Sequence, residues 1–297
     1  MKKNWMSTKY LMVFFTVTLA WTWICGFIPV IFGFTETGAG TFIFYFGGGA
    51  PSVVALFLVF LTYPKDIRAD YFRRCFSFKL AGWKWPLITI GVFTFLSAVS
   101  IVTGVFLLGF DMPTMDYIKA IAANPLNILL VLLISLISGP LNEEFGWRGY
   151  ALDRLLIKFG FLRGSLILGF IWAIWHLPWY FTPGQAQYNL LKDSVFHAVM
   201  FIPSVMLLSV FVSFVYVKTN RSILAGALVH MFSNLIGSQL LSSYTTEISM
   251  LIRYTNMLFF LAVAVYTSCS REFKDETREL IESISSPDRY SGNTSQI

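Results

Sequence analysis

The sequence of 297 residues contains little charge, few cysteines and few histidines. Asp, Glu, Lys and Arg make up 13% of it, about half the share that is usual in soluble domains. The three cysteines, Cys25, Cys75 and Cys269, include no CxxC pair, which excludes a disulfide framework and a cysteine zinc cluster. Lys and Arg form short clusters beside apolar segments instead of one basic face, so nucleic acid is excluded as a partner.

Long apolar segments take the place of the missing charge. Hydrophobic residues make up 56% of the chain, including 30 Phe, and a bilayer core is crossed by about 20 mostly apolar residues. The sequence therefore predicts an all-α fold, a polytopic membrane helix bundle with a single transmembrane domain over 1–270 and a polar tail over 271–297. Eight stretches are predicted to span the membrane: 10–34, 41–63, 86–110, 126–150, 164–181, 195–217, 222–242 and 252–270.

The distribution of basic residues predicts the orientation of these spans. Short cytoplasmic loops of membrane proteins are enriched in Lys and Arg. A cytoplasmic N-terminus, which carries Lys2 and Lys3, leaves only Lys119, Lys192 and Arg253 on the outer side. We therefore expect a multi-pass protein of the cell membrane, in contact with membrane lipid, with both termini in the cytoplasm.

The segment LISGPLNEEFGWRGYAL places three charged side chains inside the fourth predicted span. Charged residues within a span are costly and by default mark function. Glu144 and Arg148 are four residues apart, which predicts an ion pair on one helix face. Glu143 points about 100° away from Glu144 around the helix, so the same contact does not neutralise it. Gly139 and Pro140 predict a helix break just before the two glutamates.

Two of the three histidines also lie inside predicted spans. His176 follows Trp172 by four residues, and Asn234 follows His230 by four, so each pair shares a helix face. Counting about 1.5 Å per residue from the inner ends of the helices places Glu143, His176, His230 and Asn234 at similar depth. The sequence therefore predicts a polar, water-accessible cavity that opens to the cytoplasmic side. His197, the third histidine, falls at the outer end of a span and is expected to be interfacial.

These side chains suit the hydrolysis of an amide bond by water. A carboxylate shielded from bulk solvent can act as general base on a water molecule, and an imidazole can help to orient that water. A second imidazole with a neighbouring carboxamide can donate to the oxygen that becomes negative when a carbonyl is attacked. The motifs offer no well-placed covalent nucleophile, so direct attack by water is favoured over an acyl-enzyme.

The order of the motifs resembles that of a known family. EExxxR at 143–148, an aromatic-x-x-x-His ending at His176, and HxxxN at 230–234 follow one another on successive spans. In this they resemble the CPBP family of intramembrane proteases, which includes the type II CAAX prenyl endopeptidases and the Abi-like, bacteriocin-processing proteins. The resemblance is strongest over 126–242, which it identifies as the catalytic core.

The resemblance implies a role for each motif residue. Glu143 would activate water together with His176, while Glu144 and Arg148 would form a supporting pair. The substrate would be a membrane-associated peptide or protein that is hydrophobic or lipid-modified, for example prenylated. The family's second motif usually begins with Phe, and Trp172 stands in that position here.

His230 and Asn234 would form the oxyanion site in this family. Its members are often described as zinc metalloproteases, and Glu143, His176 and His230 are the three residues that would hold Zn²⁺ here. The chain contains no HExxH motif, and we expect no obligatory cofactor.

Two other classes also use intramembrane Glu and His. A haem-binding membrane protein would use His176 and His230 as axial ligands but would leave Glu143 without a role. An ion- or proton-coupled transporter is a second alternative, although the sequence has no internal repeat of the kind that many transporters contain.

Overall fold

The computed structural model of the protein describes residues 5–114, 116–240 and 245–285, apart from the side chains of residues 238 and 239. All regular secondary structure in these ranges is helical, which confirms the predicted all-α class. Lys2 and Lys3, the end of the seventh predicted span, and the tail beyond Ser285 lie outside the described residues.

The described residues of the first half of the chain form nine helices, of which most are apolar and α4 is polar. Trp147–Leu152 and Thr103–Leu107 have π-helical geometry and continue α9 and α6, respectively. The helices are α1 (Thr8–Ile31), α2 (Gly38–Gly48), α3 (Ala50–Thr62), α4 (Lys65–Phe76), α5 (Phe78–Ala81), α6 (Lys84–Val102), α7 (Asp116–Ala122), α8 (Pro125–Ile137) and α9 (Pro140–Gly146).

The second half contributes the helices that hold the histidines. A 3₁₀ turn, Leu177–Phe181, ends the helix that leads to His176, and a π-helical turn, Leu235–Gln239, follows Asn234. The helices are α10 (Asp153–Phe159), α11 (Phe161–Trp175), α12 (Ala186–Asp193), α13 (Val195–Lys218), α14 (Ile223–Asn234), α15 (Thr246–Cys269) and α16 (Arg271–Ser285).

Every predicted apolar stretch is mainly helical over its described residues, with short breaks such as 138–139, but not every one is long enough to cross a bilayer. Six helical segments in the described part of the chain have the length and composition of a membrane span, and α2 with α3 forms a seventh that is bent by 47°. The apolar helix over Ile223–Gly237 is shorter than a span. The protein is therefore a multi-pass membrane protein with six or seven candidate spans in addition to this shorter helix, which corresponds to the seventh predicted stretch.

The segment that begins with the two glutamates packs closely against α3 and α4, because glycines leave out side chains at the contacts. A Cβ atom at Gly146 would lie 2.5 Å from the carbonyl oxygen of Pro51, and one at Gly149 would lie 2.9 Å from the ring of Tyr71. Small residues allow membrane helices to approach one another in this way. The helix that carries Glu143 is thereby held inside the bundle, and all six residues of Trp147–Leu152 are buried.

A second set of largely buried charges connects α4 to the ends of α10, α13 and α14. We call Asp70, Arg74, Asp153, Tyr216 and Arg221 the boundary network. Arg221 donates to both oxygens of Asp153, at 2.5 and 3.3 Å. Tyr216 accepts from Arg74 and donates to Asp153, each at 2.8 Å, and Arg74 also donates to Asp70 at 3.0 Å. Two carboxylates thus balance two guanidinium groups.

Candidate active site

The predicted helix break before the two glutamates is present. Helix α8 ends at Ile137, and α9 begins at Pro140, where proline fits because the first N–H of a helix needs no partner. Glu143 lies in the first turn of α9, where the free N–H groups of a helix favour negative charge. Glu143 and Glu144 are both buried, with exposed fractions of 6% and 0%.

The two oxygens of Glu143 have different surroundings. Its Oε2 accepts from the indole Nε1 of Trp172 at 2.5 Å and from that of Trp147 at 3.4 Å. Oε1 has no hydrogen-bond partner among the described residues and lies 3.3 Å from the point that a Cβ of Gly139 would occupy. One side of the carboxylate is therefore oriented by two indoles, and the other is left for a bound molecule.

Glu144 lies behind this position and contacts a guanidinium group and an imidazole ring. Its Oε1 accepts from Arg148 Nη1 at 2.9 Å, the ion pair that the spacing predicts, and is 2.9 Å from His230 Nδ1. Arg148 is fully buried, and its Nη2 is 3.4 Å from the hydroxyl of Ser209. Its guanidinium also stacks on the ring of Trp172, 4.8 Å from the centroid. The pair therefore fixes the position of His230.

His176 is placed by the end of α11. Pro178 cannot continue the helix, so α11 ends at Trp175 and His176 becomes its cap. Its Nδ1 is 2.9 Å from the carbonyl oxygen of Trp172. A carbonyl only accepts hydrogen bonds, so Nδ1 carries the proton and Nε2 of the neutral ring keeps its lone pair. The rings of Trp175 and Phe201 contact His176 edge-on.

His230 and Asn234 lie on one face of α14, as their spacing predicts. His230 has an exposed fraction of 2%, and the ring of Trp172 contacts it edge-on at a centroid distance of 4.9 Å. Since Glu144 accepts from Nδ1, the Nε2 of His230 is the ring nitrogen left for other partners. Asn234 Nδ2 lies 3.8 Å from the same point beside Gly139 that Glu143 Oε1 faces.

One cavity of about 380 Å³ joins these side chains, within the usual range of ligand sites. Glu143, His176, His230 and Asn234 all line it, whereas Glu144 and Arg148 are not among its lining residues. A smaller cavity of about 60 Å³ also contacts Glu143 and His176. The structure thus brings the four predicted water- and oxyanion-binding residues together and sets the predicted supporting pair behind them.

The cavity residues do not form a ligand set for a metal ion. Within the described ranges, no three His, Cys, Asp or Glu side chains are arranged to hold one, and this includes the predicted set of Glu143, His176 and His230. A catalytic zinc site needs about three such ligands around one point. The described side chains therefore do not support the zinc alternative.

Several contacts of the site were not predicted from the sequence. Trp147 follows Glu143 by four residues, so its contact follows the same spacing rule that predicted the Glu144–Arg148 pair. Ser209 comes from α13, far along the chain, and had no sequence signal. Arg253, expected at the outer end of the last span, lies a third of the way along α15 and lines the cavity. His197, the third histidine, does not line this cavity, and its Nδ1 is 2.5 Å from a carboxylate oxygen of Asp193.

Fold and site together define a class: a multi-pass α-helical membrane protein with a carboxylate, two imidazoles and a carboxamide around one buried cavity. Residues 125–236, which contain all three motifs, match the family model Rce1-like, described as type II CAAX prenyl endopeptidase Rce1-like. The chain is also similar to CAAX prenyl protease 2 of Methanococcus maripaludis, with 24% identity over 255 residues, 85% of this chain and 92% of the relative.

The two matches confirm the family resemblance that the motifs predicted. Over these ranges the chain is similar to type II CAAX prenyl endopeptidases, and this similarity supports a protease of the CAAX type.

Proposed function

We propose that the protein is an intramembrane endopeptidase in which Glu143 and His176 activate a water molecule. The observation that carries the proposal is the asymmetry of Glu143. Two indole N–H groups hold Oε2, while Oε1 has no hydrogen-bond partner among the described residues and faces the region beside Gly139. A water molecule there donates one hydrogen to Glu143 Oε1 and the other to the lone pair of His176 Nε2.

The reaction then follows from this arrangement. The water oxygen bonds to the peptide carbonyl carbon as its proton moves to Glu143 Oε1. His230 Nε2, protonated while Glu144 balances its charge, and the Asn234 amide donate to the carbonyl oxygen as it becomes negative. The C–N bond then breaks, and Glu143 returns the proton to the leaving amine. Glu144 and Arg148 are positioning residues in this scheme.

We propose a membrane-associated peptide or protein as substrate, either prenylated or otherwise hydrophobic near the cleaved bond. The name of the related archaeal protein indicates a prenylated one. Exposed Phe, Leu and Ile side chains cover the outer surfaces of the helices, so a lipid-anchored substrate can approach through the bilayer. Both termini are proposed to be cytoplasmic, in the cell membrane, and the catalytic core is proposed to be 126–242.

A comparison of wild type with Glu143→Gln tests the proposal. The substitution keeps the size of the side chain and its contacts with the indoles but removes the base. We expect hydrolysis of a farnesylated peptide to fall by about 10²- to 10⁴-fold with little change in KM. The same pair of proteins, compared by mass spectrometry of membrane peptides, identifies the natural substrate from peptide ends that need Glu143. Wild-type cleavage by the folded variant would refute the mechanism.

A further inference from the structure

Arg253 is a cation in the cavity wall that no described group neutralises. It lies on α15 and lines the same cavity as Glu143. Its Nε is buried without a hydrogen-bond partner, and no carboxylate of the described residues forms an ion pair with it. Residues 241–244, outside the described ranges, include no Asp or Glu. An arginine inside a span normally pairs with a counter-charge.

Asn256 lies nearly one turn further along α15 and lines the same cavity. Its exposed fraction is 6%, and its Oδ1 is buried without a hydrogen-bond partner. Its amide Nδ2 is 3.3 Å from the point that a Cβ of Gly237 would occupy, one turn beyond Asn234. The wall next to the proposed oxyanion site therefore offers one charged donor and one neutral acceptor, both unpaired within the described residues.

We propose that Arg253 and Asn256 bind the free C-terminus of the peptide substrate. The guanidinium of Arg253 receives the terminal carboxylate, a match that both planar groups favour. Asn256 Oδ1 accepts the N–H of the last peptide bond. A lipid phosphodiester supplies the same negative oxygens but no adjacent N–H donor. The donor and acceptor together thus favour a peptide terminus over a lipid headgroup.

This inference rests on the proposed peptidase function and limits its substrates. In a CaaX sequence the lipid-bearing cysteine lies three residues before the C-terminus, and three extended residues span about 10 Å. A carboxylate fixed at Arg253 would therefore set which bond reaches Glu143. The negative charge of Glu143 also repels the terminal carboxylate from the water site. This repulsion favours the same orientation of the peptide, with its C-terminus at Arg253.

Binding measured without turnover tests the inference. The full-length Glu143→Gln protein in neutral detergent is titrated with a fluorescent farnesylated CaaX peptide that ends in a carboxylate or in a carboxamide. We expect the carboxylate form to bind about tenfold more tightly or better, because a hydrogen-bonded charge pair is lost with the amide. Adding Arg253→Met should remove that preference by weakening only the carboxylate form, and Arg253→Lys should restore part of it.

The matched control is Arg278→Met in the same background, since the Arg278 side chain is 70% exposed on α16. It should leave both affinities unchanged. Equal binding of the two peptides to the protein with Arg253 overturns the inference. The inference is also overturned if the two peptides bind equally and phosphatidylglycerol displaces them only when Arg253 is present. The site would then be one for a lipid headgroup.

Cleavage of the two peptides by the wild-type protein separates this inference from the proposed function. If both are cleaved at equal rates and Glu143→Gln cleaves neither, the peptidase stands and the carboxylate site is refuted. If neither is cleaved but Arg253 still confers preference for the carboxylate, the site stands and the proposed hydrolysis fails. Thermal unfolding of Arg253→Met confirms that the variant is folded.

Discussion

Two groups of buried charges in this protein both combine two carboxylates with cationic or imidazole side chains, but they differ in whether they face a cavity. The boundary network places two aspartates against two arginines, with each carboxylate bonded to at least one guanidinium. None of its residues lines the described cavities. The second group, Glu143, Glu144, Arg148, His176 and His230, which we call the cavity cluster, pairs Glu144 twice and leaves one oxygen of Glu143 facing the cavity region.

The difference shows how a membrane protein uses an intramembrane charge in two ways. A closed set of ion pairs joins helices, and removing one partner leaves an uncompensated charge. A carboxylate that is oriented on one side only remains able to accept a proton from a bound molecule. In the cavity cluster, Glu144 forms an ion pair with Arg148 through Oε1, whereas Oε1 of Glu143 faces the cavity region, although the two glutamates are neighbours in the chain.

The largest expected effect is a contrast in stability between the two groups. Asp153→Asn leaves Arg74 and Arg221 with too little negative charge, so the free energy of unfolding should fall by about 3–5 kcal/mol. Glu143→Gln should leave it unchanged, because the amide oxygen still accepts from the indoles. Thermal and denaturant unfolding in detergent measure both variants. An equal loss for the two would mean that Glu143 is also a structural charge.

A smaller effect is expected at the hydrogen bond between Trp172 and Glu143. Trp172→Phe keeps the aromatic ring but removes the N–H that is 2.5 Å from Oε2. We expect kcat to fall by about tenfold, because a hydrogen bond to a charged group is lost, with KM nearly unchanged. Trp147→Phe is the control and should cost less, since its bond is 3.4 Å long. An unchanged kcat for Trp172→Phe would contradict a positioning role.

The boundary network should add a modest dependence of stability on pH. Burial raises the pKa of Asp70, but the charges of Arg74 and Arg221, together with the hydrogen bond and charge of Arg73, outweigh it and hold the pKa below its ordinary value. The stabilisation is therefore complete above the unfolded pKa of about 3.9 and is lost as pH falls through the lower folded pKa.

Unfolding measured between pH 7 and about 3 tests this dependence. Asp70→Asn should flatten the acidic fall, whereas Asp116→Asn, at a side chain 79% exposed on α7, should leave the profile unchanged. If the stability of Asp70→Asn falls as much at acid pH as that of the wild type, other carboxylates cause the acid sensitivity.

The smallest expected effect is that of chelation. Because the cavity cluster does not form a set of metal ligands within the described residues, hydrolysis should continue after extensive treatment with EDTA and phenanthroline. Metal analysis of the treated protein is the control. Stoichiometric zinc that restores an inactive, metal-free enzyme would contradict the proposed water activation.

Local rules predict much of this molecule because membrane helices satisfy their own backbone hydrogen bonds. The apolar stretches, the break at Gly139 and Pro140, and the Glu144–Arg148 pair all depend on residues within a few positions of one another. The same rule of four-residue spacing predicts that His230 and Asn234 share a face. Hydropathy predicted eight spans, but a count based on apolar residues does not distinguish a full span from the shorter helix over Ile223–Gly237.

The sequence by itself determined the helices, their apolar surfaces and which polar side chains share a face. Only the tertiary structure decided which partner each of those side chains has. Glu143 meets an indole from α11, His230 meets Glu144, and Arg253 reaches the cavity without a described counter-charge. Such contacts join residues tens of positions apart, and their geometry depends on how closely helices pack at glycines such as Gly146.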